Sequence, residues 1–205
     1  YQLTCGAIYT TSGDMSWSTP GFHTNGHSCL YLPENEGNSI FLFGGYNGSR
    51  RTADLYRLDN ASHIGTDDPS YPLAWHKGTY AVDLGADHNR VLEELQTRDR
   101  SGHGSFIRNG KLYVHAGYDS KHEVLCDLVE IDLGMLTLDT DIYPNDIAVS
   151  DTYATQTIEY AERLRSNQER RWHCFFLHEN EYFAHGGWND SGPLDDLIML
   201  NLGNY

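Results

Sequence analysis

The sequence predicts an all-β fold in which one antiparallel unit is used three times. In each copy a hydrophobic strand leads into two small residues and an aromatic, and Asp-Leu opens another hydrophobic strand ten or eleven residues later. The copies occupy residues 41–59, 113–132 and 182–201. The chain of 205 residues also holds 14 tyrosines, which suits sheets because aromatic side chains pack well on a pleated surface. A spaced repeat of this kind indicates one supersecondary unit repeated along the chain.

A histidine-led apolar segment precedes each pair of small residues, beginning at His27, His103 and His173. Each unit is therefore expected to contain at least three strands in a fixed order. The first hairpin is longer than the others, and its extra residues, 33–39, have a composition typical of a loop. We interpret the three histidines as a repeated hydrogen-bonding device rather than a metal cluster.

The small residues that end the second strand are predicted to have a structural role. Glycine allows neighbouring backbones to approach closely and tolerates the φ values needed to leave a strand. Alanine at position 116 should tolerate the approach but not a positive φ. The aromatic that follows each pair is predicted to pack between neighbouring units, because one sheet cannot bury both faces alone. The pairs are Gly44-Gly45, Ala116-Gly117 and Gly186-Gly187, and the aromatics are Tyr46, Tyr118 and Trp188.

This pattern resembles the kelch repeat, in which a strand ends in Gly-Gly, a loop leads to a third strand, and a Trp opens a fourth. Kelch units are four-stranded antiparallel blades of a β-propeller. The resemblance implies a propeller, or a propeller segment, of three to four such blades. Trp75 stands at about the family position after the first copy, and Trp17 follows a candidate strand at residues 5–11. Behind the second copy residues 135–138 would have to form the fourth strand, and the third copy has none.

The repeat favours a single domain over residues 1–205. Its parts are units at about 27–80, 102–140 and 172–203, an N-terminal half unit at 1–20 and an insertion at about 141–171. Propellers close with four to eight blades, so three units would leave an exposed face and unpaired strand edges. The N-terminal half unit could complete the last blade, the chain could be part of a longer protein, or copies could assemble into one ring or a stack. We favour a fragment or an assembly over a free three-blade monomer.

Three connections interrupt the repeat, at residues 61–74, 84–100 and 141–171. The second contains a short helical candidate. The third is the longest and predicts an amphipathic helix, with Tyr153, Ile158, Ala161 and Leu164 forming a partial apolar stripe. Since loops on a rigid scaffold often supply binding residues, this helix either packs on the propeller or binds a partner.

The chain carries a formal net charge of −15, from 29 acidic and 14 basic residues. This charge argues against nucleic acid or an anionic membrane surface as the partner. A protein with a basic surface is the better electrostatic match, although ordinary solvated loops are the favoured interpretation of the acidic clusters. No apolar run approaches the length of a membrane span.

The four cysteines lack CxxC spacing and any zinc-ribbon pattern. Cys29 and Cys174 occupy nearly the same repeat position, where we expect small buried hydrophobic residues rather than a disulfide. Free thiols predict a reducing, intracellular (cytoplasmic) location. Three Asn-x-Ser sequons, at Asn47, Asn60 and Asn189, stand against this location, although such sequons often arise by chance in loops rich in Asn and Ser.

The sequence assigns no catalytic residue, cofactor or metal ligand. GxSxG, HExxH, GxxxxGK[ST] and GxGxxG are all absent. Some kelch proteins are metal-dependent enzymes, and the chain has eleven histidines, three of them (His173, His178, His185) in one hairpin. A kelch-type enzyme, or a carbohydrate-binding propeller using Trp17 and Trp188, is therefore the alternative.

The resemblance favours a non-catalytic scaffold that presents loops between blades to a protein partner, because the family is used mainly in this way. The candidate partner-binding residues lie in the loops after the glycine pairs and in the predicted helix. They are Tyr46, Arg50, Arg51, Tyr118, Tyr160, Arg163, Trp188 and Asp190.

Overall fold

A computed structural model describes residues 24–33, 37–64, 70, 75–79, 99–135, 137–138 and 169–202. Within these residues the secondary structure is almost entirely β, in antiparallel sheets, with 3-10 turns at Ala61–His63 and Leu133–Met135. The all-β prediction is confirmed. The predicted half unit at 1–20 with Trp17, the short helix within 84–98, and the helix that contains Tyr160 and Arg163 lie outside the described residues.

Nothing in the described ranges is a helix long and apolar enough to cross a membrane.

Unit 1 is a sheet whose strands follow one another in chain order. The strands are β1 (Ser28–Leu32), β2 (Ser39–Phe43), β3 (Leu55–Leu58) and β4 (Trp75–Thr79). Each strand is antiparallel to the next, with Leu30 opposite Phe41 and Leu58 opposite Trp75. Trp75 therefore opens a fourth strand, as the resemblance implied.

Unit 2 contains three strands, and the residues predicted as its fourth strand pair elsewhere. Its sheet is formed by β5 (Gly104–Arg108), β6 (Lys111–Tyr118) and β7 (Val124–Asp132). The next strand, β8 (Thr137–Leu138), pairs with β4 of unit 1. The prediction that residues 135–138 complete unit 2 is therefore wrong. The 3-10 turn at Leu133–Met135 directly follows the end of β7. β8 then pairs with the edge of β4 that does not pair with β3, so the backbone groups on that edge gain hydrogen-bond partners.

Unit 3 repeats the three-strand sheet and adds a small hairpin. Its sheet has the order β9 (Cys174–His178), β10 (Glu181–His185) and β13 (Leu197–Asn201), and β11 (Trp188–Asn189) pairs with β12 (Gly192–Pro193). One face of this sheet is solvent-exposed. Cys174 is exposed and not buried as predicted, because the described residues place no further sheet over β9. The other large apolar side chains exposed on this unit's sheet are Phe175, Phe176, Leu197 and Met199.

Ala116 adopts a left-handed backbone conformation, with φ of 59°. The prediction that alanine would avoid a positive φ is wrong. Gly44 and Gly186, at the same repeat position, have φ of 66° and 62°, so the turn out of the second strand imposes one conformation on all three. An L-residue pays about 1–2 kcal/mol for it. The carbonyl of buried Ala116 accepts a hydrogen bond from Arg100 at 2.9 Å, which helps to offset that strain.

Units 1, 2 and 3 lie side by side, with β1 next to β5 and β5 next to β9. The segments before these strands make the same backbone contacts at both junctions. The Gly102 amide donates to the Gly26 carbonyl at 2.8 Å, and the Trp172 amide donates to the Gly102 carbonyl at 2.7 Å. The second glycine of each pair donates across in the same way: Gly45 to Arg100 and Gly117 to Arg170, both at 2.8 Å. We call these contacts junction 1–2 and junction 2–3.

A fully buried arginine holds each of units 2 and 3 together. Arg100 makes a two-pronged pair with Asp127, at 2.8 Å for both bonds, within unit 2. Arg170 pairs in the same way with Asp196 of unit 3, at 3.0 and 2.7 Å, and donates to the Gly186 carbonyl. Each arginine is bound by its backbone to the preceding unit and by its side chain to its own unit. Each arginine–aspartate pair therefore links the interior of its own unit to the junction with the preceding unit.

The two junctions bury different side chains. Junction 1–2 holds an aliphatic and phenylalanine core: Leu32, Phe41, Phe43, Leu55, Leu112, Val114, Val129 and Ile131. Junction 2–3 holds a smaller core with tyrosines: Phe106, Tyr113, Leu128, Tyr182, Ala184 and Leu202.

Candidate functional site: an arginine and aromatic row

Two arginines from different units approach one tyrosine. The Cζ atom of Arg51 lies 4.3 Å from the centroid of the Tyr118 ring, and that of Arg171 lies 4.1 Å from the same centroid. Arg51 also lies 5.6 Å from the Tyr46 ring, and Arg171 lies 5.0 Å from the Trp172 ring. These distances suit cation–π attraction. We call these five residues the arginine–aromatic row; it runs across all three units.

The repeated backbone positions the row. The aromatic after each glycine pair forms an isolated antiparallel bridge with the residue two before the repeated histidine: Tyr46 with Asn25, Tyr118 with Ser101, and Trp188 with Arg171. Equivalent bridges in adjacent units place the aromatic residues at the same end of each sheet. Because the junctions hold the units side by side, these ends form one continuous surface.

Arg51 is fixed between units 1 and 2. Its backbone bridges Tyr46, and its Nε donates to Ser101 Oγ at 3.0 Å. Its backbone amide donates to Ser120 Oγ at 3.3 Å. These bonds to unit 2 hold the guanidinium beside Tyr118.

Trp172 occupies a position that is glycine in the other copies. Its φ is 54°, close to the 64° of Gly26 and the 66° of Gly102. A bulky side chain with positive φ is uncommon, and such strain concentrates at functional sites. A Cβ on Gly102 would collide with the Trp172 indole, so Gly102 also provides the space for it. Trp172 is 59% exposed at the end of the row.

The row is locally cationic in an acidic chain. Among the described residues, no carboxylate lies within 4.0 Å of the guanidinium of Arg51 or Arg171. The Arg51 guanidinium lies beside aromatic rings and the Ser101 hydroxyl, and the Arg171 guanidinium lies beside the rings of Tyr118 and Trp172. Their positive charge is therefore not neutralised by an ion pair within this part of the chain.

The structure brings together three of the predicted partner-binding residues: Tyr46, Arg51 and Tyr118. Trp188 lies beside them through its backbone bridge to Arg171, and its side chain is 49% exposed. Arg50 is exposed in the adjacent loop but makes no contact with the row; its amide donates to Asn47 Oδ1. Asp190 lies on the exposed turn between β11 and β12.

Sequence reasoning missed Arg171 and Trp172 as site residues. The signal was available, because aligning the copies on the repeated histidine puts Trp172 in a column with Gly26 and Gly102. A tryptophan in a glycine column indicates a side chain retained despite backbone strain.

Histidines and one tyrosine are also buried at the two junctions. His103 Nε2 lies 3.1 Å from Ser28 Oγ at junction 1–2. At junction 2–3, His173 Nε2 lies 3.3 Å from His115 Nδ1, and the Tyr182 hydroxyl is 3.1 Å from both nitrogens. A Cβ on Gly104 would lie 2.7 Å from His173 Nε2, so glycine leaves room for this cluster.

Burial keeps these histidines neutral. Desolvation, with a smaller contribution from nearby arginine charge, lowers the pKa of His103 to about 3 and that of His173 to about 4. Desolvation, followed by the electrostatic effect of His173, lowers the pKa of His115 well below its usual value. Desolvation also raises the pKa of Tyr182. The four side chains are uncharged at neutral pH and form a hydrogen-bonded part of the interior.

Each repeated histidine makes a hydrogen bond, but with a different partner. His27 Nδ1 lies 3.0 Å from the backbone carbonyl of Thr24, in the same loop. No three His, Cys, Asp or Glu residues within the described ranges are arranged to hold a metal ion. His178 and His185 lie at opposite ends of the β9–β10 hairpin, and both are exposed. The hairpin therefore does not bring its three histidines together.

No protein-family model matches the chain, and no curated protein shows a significant sequence match to it. The kelch resemblance rests on the repeated glycine pairs, the aromatic after each pair and Trp75.

Proposed function

We propose that the chain is a non-catalytic interaction scaffold, a segment of a kelch-type β-propeller whose arginine–aromatic row binds an acidic segment of a protein partner. The observation that carries this proposal is the pair of guanidinium groups on Tyr118, which have no carboxylate partner among the described residues. Arg51 is held by the hydrogen bond from its Nε to Ser101 Oγ, and both guanidinium groups lie against the Tyr118 ring, so less conformational entropy is lost when a ligand binds.

The propeller segment is supported by the order and arrangement of the units. Sequential antiparallel sheets with their first strands adjacent are what successive blades around a common axis would produce. The exposed apolar face of unit 3, with Phe176 and Leu197 among its side chains, is where a further blade would pack.

The composition of the row supports a protein partner. Arginine, tyrosine and tryptophan are enriched at protein interfaces and among the residues that contribute most binding energy. A planar guanidinium matches a carboxylate through two parallel hydrogen bonds. The chain's net charge of −15 favours a basic partner overall, whereas the row itself is positive. We therefore propose acidic chemistry for the ligand of the row and retain the basic partner only for the remaining surface.

The test measures binding of a short fluorescein-labelled peptide of alternating glutamate and tyrosine by fluorescence anisotropy. Peptides of the same length with glutamine or lysine in place of glutamate are the chemical controls. We expect the glutamate peptide to bind most tightly, and binding to weaken as salt is added, because the attraction is electrostatic and partly exposed. Arg51→Gln and Arg171→Gln should each weaken it by about tenfold or more, the effect of a strong interface arginine.

Arg50→Gln is the matched control, because Arg50 lies one residue from Arg51 but outside the row. It should bind the glutamate peptide nearly as the unchanged protein does. Equal binding by the Arg51→Gln, Arg171→Gln and Arg50→Gln variants would contradict the proposal. Tighter binding of the lysine peptide would favour the basic partner instead, and saccharide binding on a glycan array that depends on Trp172 and Trp188 would favour the carbohydrate-binding alternative.

A further inference from the structure

Unit 1 lacks the arginine that holds the other two units together. Aligning the copies on the repeated histidine places Thr24 in the column of Arg100 and Arg170. The acceptors of that arginine are nevertheless present. Asp54 stands in the column of Asp127 and Asp196, and Gly44 stands in the column of Ala116 and Gly186, whose carbonyls accept from the two arginines.

A cavity of about 90 Å³ lies where the arginine side chain would be expected. Both equivalent residues, Gly44 and Asp54, line it, together with Thr24 at the arginine position. Leu42, Asn47, Thr52 and Tyr56 are the other lining residues in the part of the chain that the structure describes. The volume is several times the roughly 10–15 Å³, on the same measure, that one water molecule requires. Asn47 is exposed and Asp54 is partly exposed, so the cavity can be reached from solvent.

Asp54 already has partners, and they leave part of its binding capacity available. Lys77 Nζ, from β4, lies 2.9 Å from Asp54 Oδ1, and the Tyr56 hydroxyl donates to Oδ2 at 3.4 Å. Desolvation, reinforced by the charge of Asp54, raises the pKa of Tyr56, so the hydroxyl stays protonated as a donor. A carboxylate offers about four lone-pair sites on its two oxygens. Two single contacts do not reproduce the two-pronged pairs made by Asp127 and Asp196.

We propose that this cavity in unit 1 is a binding site for a guanidinium group, which Asp54 and the Gly44 carbonyl hold as Asp127 and the Ala116 carbonyl hold Arg100. The chain itself twice surrounds a guanidinium with a carboxylate and a carbonyl at these repeat positions. A planar fork matches that acceptor pair, whereas an ammonium group is a single point charge. The ligand is a free guanidinium compound or an arginine side chain of another polypeptide.

The first experiment titrates the full chain with methylguanidinium and, separately, with methylammonium, following the backbone amide signals of Gly44, Asp54 and Tyr56 by NMR. Methylguanidinium should shift these signals at a concentration about tenfold lower than methylammonium does. An N-acetylated arginine amide and a short peptide with an internal arginine then distinguish the two sources. Binding by the peptide indicates an arginine of a polypeptide, and binding by the small compounds alone indicates a free ligand.

Two variants make the result specific to the cavity. Asp54→Asn should abolish the shifts, while Asp59→Asn, which changes a carboxylate paired with Arg57 outside the cavity, should leave them. Thr24→Arg would supply the guanidinium from the chain itself; it should abolish binding and raise the thermal midpoint by about 2–4 °C.

Equal response to methylguanidinium and methylammonium would overturn the proposal. So would methylguanidinium binding that survives in the Thr24→Arg variant, or a Thr24→Arg variant that is less stable than the unchanged chain. These outcomes are independent of the arginine–aromatic row, whose residues Thr24→Arg does not alter.

Discussion

Junctions 1–2 and 2–3 share the same backbone hydrogen bonds but differ in the side chains they bury. At junction 1–2 His103 contacts Ser28 beside a core of aliphatic side chains and phenylalanine. At junction 2–3 His115, His173 and Tyr182 bond to one another within a smaller core. The glycine-rich segments thus make the same backbone contacts at both junctions, whereas the buried side chains differ from one junction to the other. We therefore expect the two junctions to differ in stability and in their response to acid.

The largest expected effect is loss of a buried arginine's carboxylate. Asp127→Asn leaves Arg100, which is fully buried, without its charged partner, and breaking one side of a buried ion pair costs about 3–5 kcal/mol. Asp196→Asn should cost less, because Asp196 is 43% exposed and water can replace its carboxylate. Urea unfolding of the two variants measures both losses. Equal losses would mean that the greater exposure of Asp196 does not lower the cost of removing the carboxylate that pairs with Arg170.

The next comparison uses Leu112 and Tyr182, which occupy the same repeat position. Leu112→Ala removes a fully buried side chain from junction 1–2 and should cost about 2–5 kcal/mol in the free energy of unfolding. Tyr182→Phe keeps the ring and removes only the hydroxyl between His115 and His173, a loss of about 1–3 kcal/mol. Chemical denaturation gives both values. A larger loss for Tyr182→Phe would show that hydrogen bonding dominates junction 2–3 even over a core cavity.

Acid should weaken junction 2–3 more than junction 1–2. The folded-state pKa values of His115 and His173 lie below the ordinary value, so the unfolded chain binds more protons. Their contribution to stability is complete above about pH 6.5 and falls as the pH drops toward about 4, by about 1.4 kcal/mol per pH unit for each group. His103 makes one such contribution at junction 1–2.

The measurement for this prediction is the unfolding free energy between about pH 7 and pH 4.5. His115→Phe, which copies the residue found at the same position in unit 1, Phe43, should reduce the slope by about one proton. His178→Gln, which replaces an exposed histidine of unit 3, is the control variant. An unchanged slope in His115→Phe would mean that His115 titrates normally in the folded protein.

The smallest effect is a gain. Ala116→Gly should relieve the left-handed strain and stabilise the protein by about 0.5–1 kcal/mol, since the relief of about 1–2 kcal/mol is partly offset by glycine's greater entropy in the unfolded chain. Gly44→Ala should destabilise, because its Cβ would lie 2.9 Å from the Arg100 carbonyl. Thermal unfolding of the two variants suffices, and a destabilised Ala116→Gly variant would mean that the methyl group's packing outweighs the strain.

The repeated pattern was sufficient to predict an all-β chain and the three-strand order of each unit. The signals used are local in the sequence: hydrophobic strands, pairs of small residues and Asp-Leu at strand starts. They can therefore be recognised without knowledge of tertiary contacts. The pairing of β8 with β4 was not predictable in this way, because sequence order suggests the nearest sheet and the actual partner is a strand edge in another unit. The positive φ of Ala116 was not predicted, because alanine generally avoids a positive φ. Here the turn out of the second strand imposes the same backbone conformation on all three units.

Part of the site was also within reach of the sequence. Tyr46, Arg51 and Tyr118 were predicted from their place after the glycine pairs, and the structure brings them together. Arg171 and Trp172 precede a strand instead of following a glycine pair, so the same rule could not find them. The bridge between Arg171 and Trp188, and the contact of Arg171 with the Tyr118 ring, show that the two segments meet at one surface.

Residues of all three units meet at Tyr118 to form the arginine–aromatic row. The most direct test is the NMR signal of the arginine Nε–H groups in the unchanged chain and in Tyr118→Leu. Because the ring lies within 4.3 Å of both guanidinium carbons, removing it should shift the signals of Arg51, from unit 1, and Arg171, from unit 3, together, while Arg50 stays in place. A shift in only one of the two arginines, or in neither, would contradict a row that spans all three units.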